Sequence, residues 1–266
     1  MKIAFWSNVR HQSGVTAGVA LMSVLWAELF EEEIAVTSNH VCNNSLLRRL
    51  CGGTAPTEKR SGKSFSYELG EPEYFRLLYA GIYRLPRRIN PGLRFIPMLG
   101  NEVEMFRGAG LCEIDRQVAG TEHLLIDTAC GCGYGSRKIL EEAEVRVVLL
   151  PSKQHYIDQF FQSGTELLEH SFFILGNYSS SQSCPPSYLI RKYKIPKERI
   201  GVILHNTEYE QAMETGTTIS YIAGHLGCKK TPKTDRFTKY AVATVEKLRA
   251  YTEQRRAEVC VESEEV

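Results

Sequence analysis

The stretch from Lys2 to Glu33 constrains this chain more than any other. Ile3-Ala4-Phe5-Trp6 reads as a short buried strand, Ser7 to Thr16 as a loop, and Ala17 to about Phe30 as a long helix. That helix is apolar nearly all round: Val19, Leu21, Met22, Val24, Leu25, Trp26, Leu29 and Phe30, with Val15 just ahead of it. A helix with no polar face belongs between a sheet and other helices. Glu31-Glu32-Glu33 follow it. Acids at a helix C-terminus oppose its dipole, so these three read as a solvated turn.

The same alternation continues. Ile34–Thr37, Leu93–Met98, Leu124–Asp127, Val145–Leu150, Phe172–Leu175 and Ile200–Leu204 are short apolar runs of the kind that a parallel sheet buries on both faces. Helical stretches lie between them: 43–50, 72–83, 102–106, 111–118, 136–142, 154–168, 186–193, 209–214 and 219–226. A final helix spans Arg236 to about Arg256, and the acidic end of the chain reads as a disordered tail. The fold class is therefore α/β: a mostly parallel sheet with helices on both faces. One domain covers residues 1–256, and 257–266 form the tail. In such folds ligands bind at the carboxyl ends of the strands, where Ser7, Thr37, Asp127, Pro151 and Asn177 fall.

At 266 residues the chain can bury a core unaided, and its net charge of +1 points to no bulk attraction for nucleic acid or anionic membrane. No run approaches the ~18 apolar residues of a membrane span, and the first residues lack the pattern of a secretory signal. The expectation is a cytoplasmic protein without a membrane span. Its eight cysteines are scattered, with no Cys-x-x-Cys pair, which favours reduced thiols. Cys130-Gly131-Cys132 lacks a histidine partner and reads as loop rather than as a metal site. Arg84, Arg87, Arg88 and Arg94 form a basic cluster suited to DNA phosphates or an acidic partner, or to a solvated loop.

Strand, loop and helix at residues 2–30 follow the layout of a phosphate-binding P-loop. Yet the loop holds one glycine, Gly14, and no lysine. Backbone amides from Ser13 to Ala17 (Ser13, Gly14, Val15, Thr16, Ala17) would form the phosphate cradle, helped by the positive end of the helix. Asp127 ends an apolar strand with Gly131 a few positions on. That pair matches an acid near Mg²⁺ followed by a backbone pivot, and it equally matches an acid capping the next turn.

The ordered set of segments resembles the MinD/ParA family of deviant Walker A ATPases. The likeness rests on the P-loop-like start, Ile126-Asp127-Thr128-x-x-Gly131, Ile139–Val145 leading into a strand, and Phe173–Tyr178 with Asn177. It continues at Gly201–Asn206 and at Ala212-x-x-x-Gly216. Most of residues 2–250 is covered, and the order of parts is more specific than any one motif. Matching the family loop, Gly-Lys-Gly-Gly-x-Gly-Lys-Thr, over Val9–Thr16 puts Arg10 at the signature lysine, Gly14 at the last glycine and Thr16 at the Mg²⁺-binding threonine. Val15 then replaces the Walker lysine. A register one residue shorter keeps less of this chemistry.

The resemblance implies ATP and Mg²⁺ as cofactors. Ser13, Gly14, Val15, Thr16, Ala17 and Gly131 would surround the phosphates, and Thr16 and Asp127 would serve the metal. Arg10 and Asp127 would be the catalytic pair. Asn177 would read the adenine edge, or else serve as a turn residue. It also implies a homodimer whose nucleotide state positions or partitions a bacterial cargo, as in divergent members near Tad-pilus and secretion systems. The departures matter: no lysine neutralises the phosphates, and Thr37-Ser38-Asn39-His40 carries no carboxylate to orient water. Weak hydrolysis or none follows. The alternatives are a non-hydrolysing pseudo-ATPase scaffold and a DNA-partition ATPase.

Overall fold

The computed structural model describes residues 1–9, 13–39, 45–51, 92–95, 121–131, 133–163, 169–181, 183–227 and 235–264. Among the described residues, seven strands form one sheet: β1 (Lys2–Trp6), β2 (Ile34–Ser38), β3 (Leu93–Phe95), β4 (His123–Asp127), β5 (Val145–Pro151), β6 (Ser171–Tyr178) and β7 (Ile200–Leu204). Their order is β3-β2-β4-β1-β5-β6-β7, and every pairing is parallel. β1 lies in the middle, between β4 and β5. The chain moves from β1 to β2 on one side and later returns to β5 on the other, so a crevice opens at the carboxyl end of β1.

Side chains alternate across the sheet, as a period of two requires. Ile3 and Phe5 enter one core, and Ala4 and Trp6 the other. Val147, Leu149, Phe172 and Ile174 join the first; Val148, Leu150, Phe173 and Leu175 join the second. The first core is roofed by α1 (Val15–Phe30), α2 (Ser45–Cys51), α6 (Thr207–Thr215), α7 (Thr218–Gly227) and α8 (Arg236–Glu264). The second is covered by α3 (Tyr134–Glu142), α4 (Gln154–Ser163) and α5 (Pro186–Tyr193). Trp26, Leu21, Met22 and Leu25 of α1 are fully buried, each contributing roughly 1.5–3 kcal/mol of transfer free energy.

On the second face Asp158 ties α4 to α5. It accepts bonds from Tyr193 (2.5 Å) and Tyr188 (2.8 Å) and pairs with Lys192 (2.9 Å). These contacts, Tyr193 first, hold its carboxyl near 2.

The edge strand β7 is closed by α8. Thr244 Oγ1 accepts from the Val202 amide (2.9 Å) and donates to the Val202 carbonyl (3.0 Å), while Lys247 Nζ donates to the Ile200 carbonyl (3.0 Å). Side chains thus occupy backbone groups that would otherwise template another strand.

Several boundaries differ from the sequence reading. α1 begins at Val15, two residues early. β6 continues past Leu175 because Gly176 still pairs with Pro151. α8 runs through Glu264, into the stretch read as a tail, with Arg255 paired to Glu258 one turn on. The predicted helices at 72–83, 102–106 and 111–118 and the basic cluster at Arg84, Arg87 and Arg88 lie outside the described residues, as does the side chain of Arg94.

The triple-acid turn is the clearest correction. Glu32 is not solvated: its side chain is 13% exposed and anchors the C-terminal end of α1. It accepts from Trp26 Nε1 (2.6 Å) and from Arg249 Nε (2.8 Å) and Nη2 (2.7 Å), and it faces His123 Nε2 at 3.4 Å. Arg249 comes from α8 and His123 opens β4, so one carboxylate joins three elements. Burial lowers the His123 pKa to about 4, aided by the N-terminal amine, Arg256 and Arg249 and opposed by Glu32. Unfolded, this histidine titrates near 6.5. Between those values the unfolded chain takes up a proton that the folded chain refuses. Stability is full above about pH 6.5 and declines as pH falls toward 4, by up to ~3 kcal/mol. Urea midpoints measured at pH 7 and pH 5 should show this loss, and His123→Gln, which keeps a donor toward Glu32 but cannot titrate, should flatten it.

Candidate nucleotide site

The loop after β1 enters α1 through Gly14, whose φ of 68° and ψ of 36° are left-handed. An N-cap residue is ordinarily extended, and an L side chain here would be strained. The first helical bond runs from the Gly18 amide to the Gly14 carbonyl (2.7 Å), and no side chain caps the helix. The amides of Val15, Thr16 and Ala17 precede that bond, so they have no helix carbonyl to donate to. They form a set of donors at the positive end of the helix. Ser13 Oγ donates to the Val9 carbonyl (3.2 Å), and Ser7 Oγ accepts from the Val9 amide (3.2 Å), so both serines are tied to Val9.

α1 sits hard against the sheet at this end. A Cβ on Gly18 would lie 2.7 Å from Leu149 Cδ2, and one on Gly176 would lie 2.6 Å from the Ser13 carbonyl oxygen. Next to Gly176 the β6–β7 register shifts, and Asn177 adopts φ 48°. The irregularity turns the Asn177 side chain out of the strand and leaves it exposed. Ser152 Oγ donates to the Asn177 carbonyl (3.4 Å) and contacts Ser183 Oγ (2.8 Å), which steadies the turn.

A cavity of about 270 Å³ opens between these parts. Ser13, Gly14, Ala17 and Gly18 line one side, Gly176 and Asn177 another, and Ile203, Leu204 and Asn206 a third. α6 closes it with Tyr209, Glu210, Met213 and Glu214, and Arg49 reaches it from α2. Asn206 caps α6, its Oδ1 accepting from the Tyr209 amide (2.8 Å). Tyr209 donates its hydroxyl to the Ala17 carbonyl (2.7 Å), fastening α6 to the first turn of α1, and burial raises its pKa.

A second group of residues gathers beside the cavity at the ends of β4 and β2. Asp127 is fully buried, in register with Phe5 of β1 and Ser38 of β2. The Asn39 amide donates to the Asp127 carbonyl (3.2 Å), and Asn39 Oδ1 accepts from the Ala129 amide (2.5 Å). The Gly131 amide donates to the Ser7 carbonyl (3.2 Å), and Trp6 Nε1 to the Gly131 carbonyl (3.0 Å). Gly131 has φ 96° and open space around it. The loops after β1, β2 and β4 are thus cross-bonded at one edge.

Of the residues read from the sequence, Ser13, Gly14, Ala17 and Asn177 line the cavity together. Val15 does not: its side chain is 5% exposed and packs in the first core, so only its backbone faces the loop. Thr16 is half-buried in the first turn, and neither Thr16, Asp127 nor Gly131 is among the lining residues. Thr16 and Asp127 are both hard oxygen donors, the chemistry Mg²⁺ takes. Arg10 lies outside the described residues, as does Cys132. Sequence reasoning missed Arg49, Glu210 and Glu214. The two acids share one face of α6 at a spacing of four, a signal that becomes legible once Asn206 is known to start that helix.

No protein-family model matches the chain, and no curated protein matches it in sequence. Solved structures do match in shape. The septum site-determining protein MinD of Pyrococcus horikoshii, complexed with Mg-ADP, superposes with a TM-score of 0.64 at 14% identity over 96% of this chain and 99% of its own. The cell division ATPase MinD of Pyrococcus furiosus gives 0.63 at 14% identity, covering 94% and 98%. A ParA family ATPase from Chlorobium tepidum gives 0.60 at 14% identity, covering 92% and 98%. No helix among the described residues is long and apolar enough to cross a membrane.

Gly176→Ala tests the close packing that shapes the cavity. Its methyl group would force the Ser13 carbonyl away, and we expect a loss of about 1–3 kcal/mol in chemical denaturation. From its parallel sheet to the order of its strands and helices, the chain has the fold of the MinD- and ParA-type ATPases.

Proposed function

We propose that this chain is a nucleotide-binding switch of MinD/ParA type that binds ATP or ADP with Mg²⁺ and hydrolyses slowly or not at all. The observation that carries the reading is the cavity at the carboxyl edge, where Ser13, Gly14 and Ala17 at the start of α1 meet the outward-turned Asn177. The volume, about 270 Å³, is just below the range of ligand pockets, roughly 300–1,000 Å³. It accommodates part of a nucleotide, with the remainder over the mouth. Asn177 offers an amide to a base edge, and the amides of Val15, Thr16 and Ala17 offer donors to phosphate oxygens. Thr16 and Asp127 would hold Mg²⁺, which offsets phosphate charge when bound. The Mg-ADP complex of the Pyrococcus horikoshii MinD supports this choice of cofactor.

The buried Val15 favours binding without turnover. The position that the family fills with lysine here faces the core, and Thr37-Ser38-Asn39 supplies no carboxylate. We also infer a cytoplasmic protein of one domain, dimerising with nucleotide and positioning a cargo; because α8 continues through Glu264, that domain does not stop at residue 256. A scaffold that ignores nucleotide is the second reading, favoured by the same Val15. The DNA-partition reading rests on Arg84, Arg87, Arg88 and Arg94, of which the first three and the side chain of Arg94 lie outside the described residues.

Titration calorimetry with ATP and Mg²⁺ should give saturable heat that Asp127→Ala reduces. Absence of heat at high micromolar protein removes the nucleotide reading, and dimers unchanged by ATP in size-exclusion chromatography favour the scaffold. Val15→Lys should not restore an ATPase. Placing an ammonium in the core should destabilise the fold by about 2–5 kcal/mol, measurable by urea denaturation beside a phosphate-release assay.

A further inference from the structure

We infer that Arg49 is the residue that neutralises the phosphate chain of the bound nucleotide, in the place of the lysine that Val15 cannot supply. This assignment rests on the nucleotide reading of the cavity. Arg49 stands on α2, far from the loop in sequence, yet it lines the same cavity as Ser13, Gly14 and Ala17. It is the only cation among the described lining residues, and its side chain is half-buried there rather than extended into solvent. Its neighbours on α2 explain the aim. Leu46 and Leu50 are buried in the first core and Arg48 is exposed, so the helix presents Arg49 at the border between core and solvent.

The charge pattern of the cavity supports the role. Glu210 and Glu214 also line it, so its described side chains carry one positive and two negative charges. Glu210 leans toward His205, 3.4 Å from its Nδ1. A polyphosphate entering a cavity with two carboxylates meets repulsion unless a cation faces it. The amides of α1 supply partial charges only, whereas a guanidinium supplies a full charge and two parallel donors to phosphate oxygens. The carboxylates then suit the donor-rich part of the ligand, its sugar hydroxyls. α2 begins six residues beyond Asn39, which is bonded to the Asp127 loop. Arg49 thereby links the charge of the ligand to the segment that follows β2.

Titration calorimetry on the full chain and on Arg49→Gln and Arg49→Lys separates the alternatives, with ATP, adenosine and inorganic tripolyphosphate as probes. Thermal melting first confirms that the variants fold. The expected result is at least tenfold weaker binding of ATP and of tripolyphosphate by Arg49→Gln, adenosine binding unchanged, and partial recovery in Arg49→Lys. Equal loss for ATP and adenosine, or no loss for either, overturns the assignment while leaving the nucleotide reading intact. Tripolyphosphate binding that needs Arg49 without any ATP binding would overturn the nucleotide reading and keep Arg49 as an anion site. No binding of any probe by the unaltered chain overturns both.

Discussion

The contact on which the rest depends is the seating of the first turn of α1 against the carboxyl edge of the sheet. It requires two missing side chains. Gly18 lets the helix rest on Leu149 of β5, and Gly176 lets the Ser13 carbonyl approach β6. Without those absences the helix would ride higher, and its amide donors would not share a cavity with Asn177. Tyr209 completes the arrangement from above by bonding the Ala17 carbonyl. Three elements far apart in sequence therefore fix one helix end, the end whose first amides have no helix carbonyl to donate to.

The opposite end of α1 is fixed by charge. Glu32 gathers Trp26, Arg249 and His123, so the helix is held to β4 and α8 where its own backbone ends. A paired carboxylate this shielded favours a single geometry, since leaving either partner alone in the interior is expensive. With both ends held, α1 is a rigid strut between a packing anchor and an open edge. Cross-bonds at that edge, Asn39 to Ala129 and Gly131 to Ser7, couple the loops after β1, β2 and β4. A ligand that displaces one of them acts on all three.

How much of this was legible depended on whether the cause was local. The buried strands were legible because parallel strands covered on both faces need continuous apolar runs, as in Val147–Leu150 and Phe172–Leu175. Asp127 was legible at a strand end for the same reason. Glu32 was misread because a local rule about helix dipoles lost to Arg249, 217 residues away. Asn177 was placed at a strand end, but the register shift that turns it outward depends on how β6 meets β7 and leaves no mark in composition. Arg49 was invisible because a short helix carries little periodicity, and its aim is set by Leu46 and Leu50 packing beneath it. The length of α8 was underestimated because acidic residues were read as solvated tail, while the pairing of Arg255 with Glu258 extends the helix through them.

Val15 owes its place to packing and not to the loop that precedes it. In the preferred register Val15 stands where the family has its lysine, at the first position of α1. A side chain there has two places to go, the loop or the core. Valine takes the core, where it is 5% exposed among Val19 and other residues of the first cluster. That packing stabilises the helix end and leaves no side chain of Val15 for the loop. The backbone donors survive the exchange because they belong to the helix and not to the side chain. On the nucleotide reading proposed above, a chain that keeps the seating of α1 without a lysine would retain backbone donors for a phosphate and lack the ammonium that would drive its transfer.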